Sequence, residues 1–273
     1  MRLGFHTSGL QNHRLAEALE LIATHGYQVA ALTLDVMHLD PYRSTPAEVR
    51  EIRARLDALG LGVTIETGAR FLLDPGTKHE PTLMSRDRAA RARRLDFYSR
   101  AARVGAALGA EVVSFWAGID PAPGPDSFGW LCEGVGLACA AIRAEGLAPA
   151  FEPEPGMAVA TPAGYLALAR ALGDAGPDLC LDIGHLYVTE PDEPLASIPT
   201  LGPRLRQVHL EDMRRGRHEH LLPGEGDVDF RAVHSSLAAA GYPGPVCFEL
   251  SRHSHMAPQA LARCRDAWAR ARD

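Results

Sequence analysis

Short apolar segments of strand type alternate eight times with longer segments of helical type along this chain. The first pair shows the pattern, because the apolar run Leu3–His6 is followed by Leu15, Leu19 and Ile22 at helical spacing. Parallel strands need crossover connections, usually helices, so this alternation is typical of a parallel α/β sheet. Eight such pairs in 273 residues predict a closed (β/α)8 TIM barrel that forms one domain over residues 1–273.

An open doubly wound sheet is the alternative architecture, but the segment His6–Gly9 after the first strand carries no glycine-rich dinucleotide fingerprint.

The strands and two long loops can be placed on the sequence. The predicted strands are Leu3–His6, Val29–Leu34, Val63–Glu66, Glu111–Trp116, Ala148–Glu152, Leu179–Asp182, Gln207–Asp212 and Pro245–Glu249. The long loops are Thr67–Arg86 and Asp212–Asp227, and loops of that length are often functional.

Composition and charge argue against several classes of protein. No apolar run approaches the roughly 18 residues of a membrane span. A net charge of −6 offers no general basic surface for duplex nucleic acid. The sequence from Met1 leads directly into a strand instead of a signal segment. We therefore expect a cytoplasmic protein without nucleic-acid or membrane partners, and both a monomer and a homo-oligomer are compatible with the sequence.

The predicted helix from Arg86 to Leu108 carries seven arginines. A solvated helix face is the first interpretation, because arginine side chains are mostly exposed in folded proteins. A surface for an anionic substrate or for a second subunit is the alternative.

Three acidic residues and one histidine lie at or near the C-terminal ends of the fifth to eighth predicted strands: Glu152, Asp182, His209 and Glu249. The C-terminal ends of barrel strands surround the substrate site, so these side chains should meet at one side of the barrel mouth. Three carboxylates and an imidazole suit one divalent metal ion, namely Mn²⁺, Mg²⁺ or Co²⁺, with Zn²⁺ as an alternative.

Other polar residues surround these strand ends. Glu211 and Asp212 close the seventh strand and are also able to bind a metal or to move a proton. The cluster Ser251–His255, which includes Arg252, follows the eighth strand and should overhang the site. Lys78 and His79 lie in the first long loop and could cover the site, although an exposed, solvated loop is equally compatible with the sequence.

Several short motifs lie at the strand ends and in the second long loop: Phe151-Glu152, Leu181–His185, Val208–Asp212, His220, Pro223–Asp227 and Phe248-Glu249. As a set they resemble the xylose-isomerase-like TIM barrel superfamily. That superfamily includes sugar and sugar-phosphate isomerases and epimerases, ketose 3-epimerases, hydroxypyruvate isomerase, inosose dehydratase and the AP endonuclease family 2, to which endonuclease IV belongs.

The resemblance implies roles for individual residues. As in the ketose 3-epimerases, the four strand-end residues named above would bind one metal ion, and Glu152 and Glu249 would also transfer protons. His185 and Arg215 would contact substrate oxygens. His218 and His220 partly resemble a second metal pair of endonuclease IV.

The chemistry of the residues agrees with these roles. A divalent ion chelated by a carbonyl and an adjacent hydroxyl makes a carbon-bound proton acidic and stabilises the enediolate. A carboxylate on one face can remove that proton, and one on the other face can return it. The remaining rim should bind a small polyol, with Trp116 either stacked on the sugar ring or closing the core. The predicted substrate-binding residues are His6, Glu66, Trp116, His185 and Arg215, and a structural role is the alternative for His6.

The chain departs from these relatives at two places. Ala158 stands where the ketose 3-epimerases carry a further glutamate, and Glu154 is the candidate substitute. Endonuclease IV has additional histidines on its second to fourth strands, where this chain has Asp35, Glu66 and Trp116.

We therefore expect a metal-dependent isomerase or epimerase of a sugar, keto-polyol or cyclitol. A lyase or dehydratase of a keto-sugar or inosose is the nearest alternative, since the same enolate serves both reactions. An abasic-site endonuclease and a non-catalytic accessory protein are the remaining alternatives. The missing histidines and the acidic net charge argue against the first, and the complete ligand set argues against the second.

Overall fold

A computed structural model describes residues 1–272 and confirms the predicted barrel. Its eight strands form one closed sheet in which each strand is parallel to both neighbours, and β8 pairs with β1 to close the barrel. The strands are β1 Arg2–His6, β2 Val29–Thr33, β3 Gly62–Glu66, β4 Val112–Phe115, β5 Ala148–Phe151, β6 Asp178–Asp182, β7 Leu205–Leu210 and β8 Pro245–Phe248.

The helices begin at capping signals that the sequence carries. Thr45 caps one helix and accepts a hydrogen bond from the Glu48 backbone, and Thr161 caps another in the same way. No helix within residues 1–272 combines the length and hydrophobicity of a membrane span. The helices are α1 Leu15–Thr24, α2 Pro46–Leu59, α3 Arg88–Leu108, α4 Pro125–Ala144, α5 Pro162–Leu172, α6 Ile183–Thr189, α7 Ile198–Leu201, α8 Phe230–Ala239 and α9 Ala257–Arg272.

The main hydrophobic core lies between the barrel and its helices, whereas two small clusters lie inside the barrel. Successive side chains of a strand point to opposite faces, so every second residue faces the barrel interior. The interior clusters consist of Val29, Ala31 and Cys247, and of Val112, Ala150 and Cys180. Small residues therefore fill the lower layers of the barrel, and the next inward position on several strands carries the polar side chains of the mouth.

Helix α6 was not among the elements that the sequence predicted. It begins directly after β6, where the Asp182 side chain caps it by accepting a hydrogen bond from the His185 backbone N at 2.9 Å. The buried side chains of Ile183 and Leu186 pack it against the barrel. Tertiary packing and one cap thus stabilise a helix too short to be stable alone, and they hold His185 on its first turn.

The interpretation of the α3 arginines as a solvated face is wrong for Arg94, which is fully buried. Its guanidinium donates a hydrogen bond to the Thr67 carbonyl at 2.7 Å and lies 4.4 Å from the ring centroid of Trp116. Arg94 shares a helix face with Phe97 and Tyr98, which pack on the barrel, so burial of that face buries the arginine too. It connects the start of the first long loop to the end of β4.

Candidate active site

The C-terminal ends of the strands open onto a cavity of about 300 Å³, a volume suited to a small ligand. Most residues that were predicted to bind metal or substrate line this cavity. They are His6, Glu66, Trp116, Glu152, His185, His218, His220 and Glu249. Asp182 and His209 are almost fully buried beside them.

The structure brings the four predicted metal ligands together. Glu152, Asp182, His209 and Glu249 each offer one atom, and these atoms lie within 4.8 Å of one another. His209 Nδ1 is 2.9 Å from Glu152 Oε1 and 3.4 Å from Glu249 Oε2. Asp182 Oδ2 is buried and has no hydrogen-bond partner among the described residues. An unpaired buried carboxylate oxygen beside two further carboxylates is costly without a cation, so this donor set fits a divalent ion.

The close approach of these acidic groups also raises the pKa values of some of them. Burial raises the pKa of Glu249 to about 8, and the charges of Glu152 and Asp182 add to the shift. Burial and the charge of the adjacent Asp182 raise the pKa of Glu211 well above its ordinary value. Glu211 is fully buried beneath the cavity, and a Cβ atom at Gly184 would collide with its carboxylate.

His185 is oriented by the backbone of the β5 loop. Its Nδ1 lies 3.0 Å from the Pro153 carbonyl, and because a carbonyl can only accept, Nδ1 carries the proton. The other ring nitrogen, Nε2, lies 3.7 Å from Glu154 Oε2. Glu154, the candidate substitute for the glutamate missing at Ala158, lines the cavity.

The predicted additional ligands are only partly brought together. His218, His185 and Glu154 form a second group whose ligand atoms lie within 4.8 Å of one another. His220 lines the cavity but lies outside this group, with Nδ1 at 3.8 Å from Glu211 Oε2.

Glu66, which was predicted to bind substrate, has its carboxylate already engaged by protein groups. It accepts hydrogen bonds from Ser114 Oγ and from Gln207 Nε2, and it lies 3.3 Å from His209 Nε2. Burial alone would raise the pKa of Glu66, but His209, His6 and the hydrogen bonds hold it at about 2. The ionised carboxylate faces the ring nitrogen of His209 opposite Nδ1, an arrangement that orients metal-binding histidines.

The structure does not bring Arg215 into the cavity. Its guanidinium donates a hydrogen bond to the Pro191 carbonyl and lies 5.2 Å from the ring centroid of Tyr187. The arginine sits on the outer side of the second long loop, because the backbone N of Arg215 is held by Asp227 at 3.0 Å. The expectation that Arg215 contacts substrate is therefore not supported by its placement.

Asp212, which was named as a group able to bind metal or to move a proton, instead organises the second long loop. Its backbone forms an antiparallel bridge with Leu221. At Gly226 a Cβ atom would collide with the Asp212 carboxylate, so only glycine permits this close approach. The Asp212 carboxylate accepts hydrogen bonds from the backbone N of Met213 at 2.9 Å, Gly224 at 2.6 Å, Glu225 at 3.1 Å and Val228 at 3.0 Å.

We expect Asp212→Ala to lower the free energy of unfolding by about 3 kcal/mol, because it leaves buried N–H groups without acceptors. Asp227→Ala in the same loop is the matched control, since its side chain is exposed and accepts one hydrogen bond. The control should lose less than about 1 kcal/mol. Urea unfolding of both variants measures the difference, and equal losses would contradict this role of Asp212.

Several residues in or beside the site were not predicted as ligands. Gln207 lies two positions before His209 on β7, so strand periodicity alone could have indicated that it faces the same interior. Arg70, Lys78 and Arg252 line the cavity, and Arg252 belongs to the segment Ser251–His255 that was expected to overhang it. No pattern in the sequence indicated that Arg70 joins them.

A sequence profile of the xylose isomerase-like TIM barrel family matches residues 19–271. The chain belongs to this family. L-ribulose 3-epimerase of Mesorhizobium japonicum is 25% identical over an alignment of 277 residue positions, which covers 98% of this chain and 86% of that protein. Inosose dehydratase of Salmonella typhimurium is 27% identical over 142 residues, but these span only 45% of its length and 44% of this chain.

A solved structure of L-ribulose 3-epimerase superposes on this member of the family with a TM-score of 0.78. The superposition covers 99% of this chain and 95% of that one, at 21% sequence identity. At that identity the likeness establishes the shared barrel fold. The strand-end residues described above carry the argument about chemistry.

Proposed function

We propose that this chain is a divalent-metal-dependent epimerase or isomerase of a ketose or related polyhydroxylated carbonyl compound. The observation that carries the proposal is the approach of Glu152 and Glu249 to the same nitrogen of His209, at 2.9 and 3.4 Å, beside the unpaired carboxylate oxygen of Asp182. Oxygen-rich sets of this kind favour Mn²⁺, Mg²⁺ or Co²⁺ over softer ions. When bound, the ion would supply Lewis-acid polarisation of a substrate carbonyl and its neighbouring hydroxyl.

The two glutamates are suited to proton transfer at a substrate carbon. They follow β5 and β8, which lie on either side of β6 and β7 in the barrel, so a substrate between them meets one carboxylate on each face. Removal of a proton by one and return by the other inverts the configuration at that carbon. If the proton is instead taken from C1 and returned to C2, while the hydroxyl proton of O1 moves to O2, a ketose becomes an aldose.

Other cavity residues are suited to binding the substrate. His185 Nε2 can accept a hydrogen bond from a hydroxyl, because Nδ1 already donates to Pro153. Burial and the adjacent His209 lower the pKa of His6 to about 3, so His6 is a neutral group beside Glu249. Trp116 presents part of an indole to the cavity while Arg94 lies over its ring.

The relatives support the same class of reaction. L-ribulose 3-epimerase matches nearly the whole chain and supports epimerisation of a ketose. The partial match to inosose dehydratase favours a dehydratase as second candidate, since dehydration can begin with the same proton abstraction. The identity of the metal, the cytoplasmic location and the absence of nucleic-acid partners stay predictions.

Incubation of the Mn²⁺-loaded protein in D₂O with L-ribulose, other ketoses and inososes tests this function. We expect exchange of a carbon-bound proton for deuterium, seen by proton NMR, and a product that retains every oxygen by mass spectrometry. Loss of water would select the dehydratase. No exchange with any of these compounds, or incision of abasic-site DNA that is abolished in Asp182→Ala, would contradict the proposal.

A further inference from the structure

Three cationic side chains line the cavity without a salt-bridge partner in the described part of the chain. Arg70 and Lys78 come from the first long loop, and Arg252 comes from the segment after β8. Within residues 1–272, none of the three has a carboxylate oxygen within 4.0 Å. Lysine and arginine heads usually extend into water, so three that border one cavity from two separate loops form a local positive region.

These charges are close enough to influence one another. Burial lowers the pKa of Lys78, and the positive charges of Arg70 and Arg252 lower it further. The charge of Glu154 acts on Lys78 and that of Asp35 on Arg70, but neither carboxylate forms an ion pair with its cation. Repulsion among like charges at one mouth would be relieved by an anionic group of a ligand.

The positive region is separate from the predicted metal ligands. The three cations belong to loops at the mouth, whereas Glu152, Asp182 and His209 are buried at the strand ends. A cavity of about 300 Å³ that joins the two regions suits one small molecule with a carbonyl at one end and an anionic group at the other. Arginine and lysine are the side chains that most often bind phosphate and carboxylate.

We propose, on the basis of the function proposed above, that the substrate is an anionic polyhydroxylated carbonyl compound. Its phosphate or carboxylate group binds Arg70, Lys78 and Arg252, and its carbonyl end lies toward Glu152 and Glu249. A neutral ketose fills the same cavity but leaves the three cations without a partner.

Calorimetric titration of the Mn²⁺-loaded protein with D-fructose, D-fructose 6-phosphate and D-fructuronate tests this proposal, because these compounds differ only at C6. We expect at least one anionic compound to bind about tenfold or more tightly than D-fructose, as charged hydrogen bonds typically provide. The stronger of the two anions identifies phosphate or carboxylate as the preferred group. The preference should weaken at high ionic strength.

Lys78→Gln and Arg252→Gln should each reduce the preference for the anionic compound by about tenfold. Both residues are exposed, so these variants are expected to fold. Arg103→Gln is the matched control, because Arg103 is an exposed arginine of α3 outside the cavity, and it should keep the preference. Equal affinity for neutral and anionic compounds, or a preference that the two variants leave unchanged, would overturn the proposal.

Binding and proton exchange separate this inference from the proposed function. Proton exchange with neutral ketoses and no preference for an anion would retain the function and overturn the inference. A preference that depends on Lys78 and Arg252, without proton exchange on any compound, would retain the anion site and contradict the epimerase or isomerase.

Discussion

Glu152→Gln and Glu249→Gln are each expected to reduce turnover by about 10²–10⁴-fold, the usual contribution of a positioned acid or base. Glutamine keeps the shape and one oxygen of the side chain but cannot remove a proton. Glu152 follows β5 and Glu249 follows β8, so the two carboxylates border the cavity from different strands with β6 and β7 between them. Neither should therefore replace the other. Substrate affinity should change much less than turnover, because the substitution removes a step of the reaction and leaves most contacts intact.

Both glutamates are also proposed metal ligands, so metal content must be measured in the same samples. Each variant should be assayed at saturating Mn²⁺, with deuterium exchange and full turnover followed in parallel. Glu193→Gln is the control, since Glu193 is exposed and outside the cavity. Normal turnover by either fully metallated variant would remove that residue from the acid and base roles.

The purified protein is expected to bind about one divalent ion per chain, and Asp182→Ala/His209→Ala is expected to lose it. Removal of a group that only orients a metal ligand typically costs 10–100-fold in affinity, so loss of two ligands should cost more than about 100-fold. Elemental analysis and competition with a chelator measure both quantities. Unchanged metal content in the double variant would contradict the assignment.

Asp182 also caps α6, so its replacement by alanine removes a structural hydrogen bond as well as a charge. Asp182→Asn keeps an acceptor for the His185 backbone and removes the charge, which separates the two effects. Asp174→Ala/His255→Ala is the matched control, because both residues are exposed and neither lines the cavity. Thermal unfolding of every variant shows whether lost metal reflects lost ligands or lost structure.

The sequence by itself determined the barrel and the positions of its main polar groups. Strand and helix periodicity, the caps at Thr45 and Thr161, and the strand-end position of Glu152 depend on residues a few positions apart. Parallel strands in a closed barrel must end on the same rim, so residues at the ends of four consecutive strands could be placed together before any contact was known. Local patterns were sufficient because the fold repeats one unit eight times.

Only the tertiary structure decided what the loops do. The Asp212 carboxylate was able to bind a metal or to organise the loop. The backbone N–H groups of residues 224, 225 and 228, which the loop brings back to it, show that it organises the loop. Arg94 is buried because its helix face packs on the barrel. Arg215 lies outside the cavity because its guanidinium is hydrogen-bonded to the Pro191 carbonyl and its backbone N to Asp227. Arg70, Lys78 and Arg252 line one cavity although more than 170 positions separate the first long loop from the segment after β8. These outcomes depend on partners distant in sequence, and no local periodicity specifies which distant groups will meet.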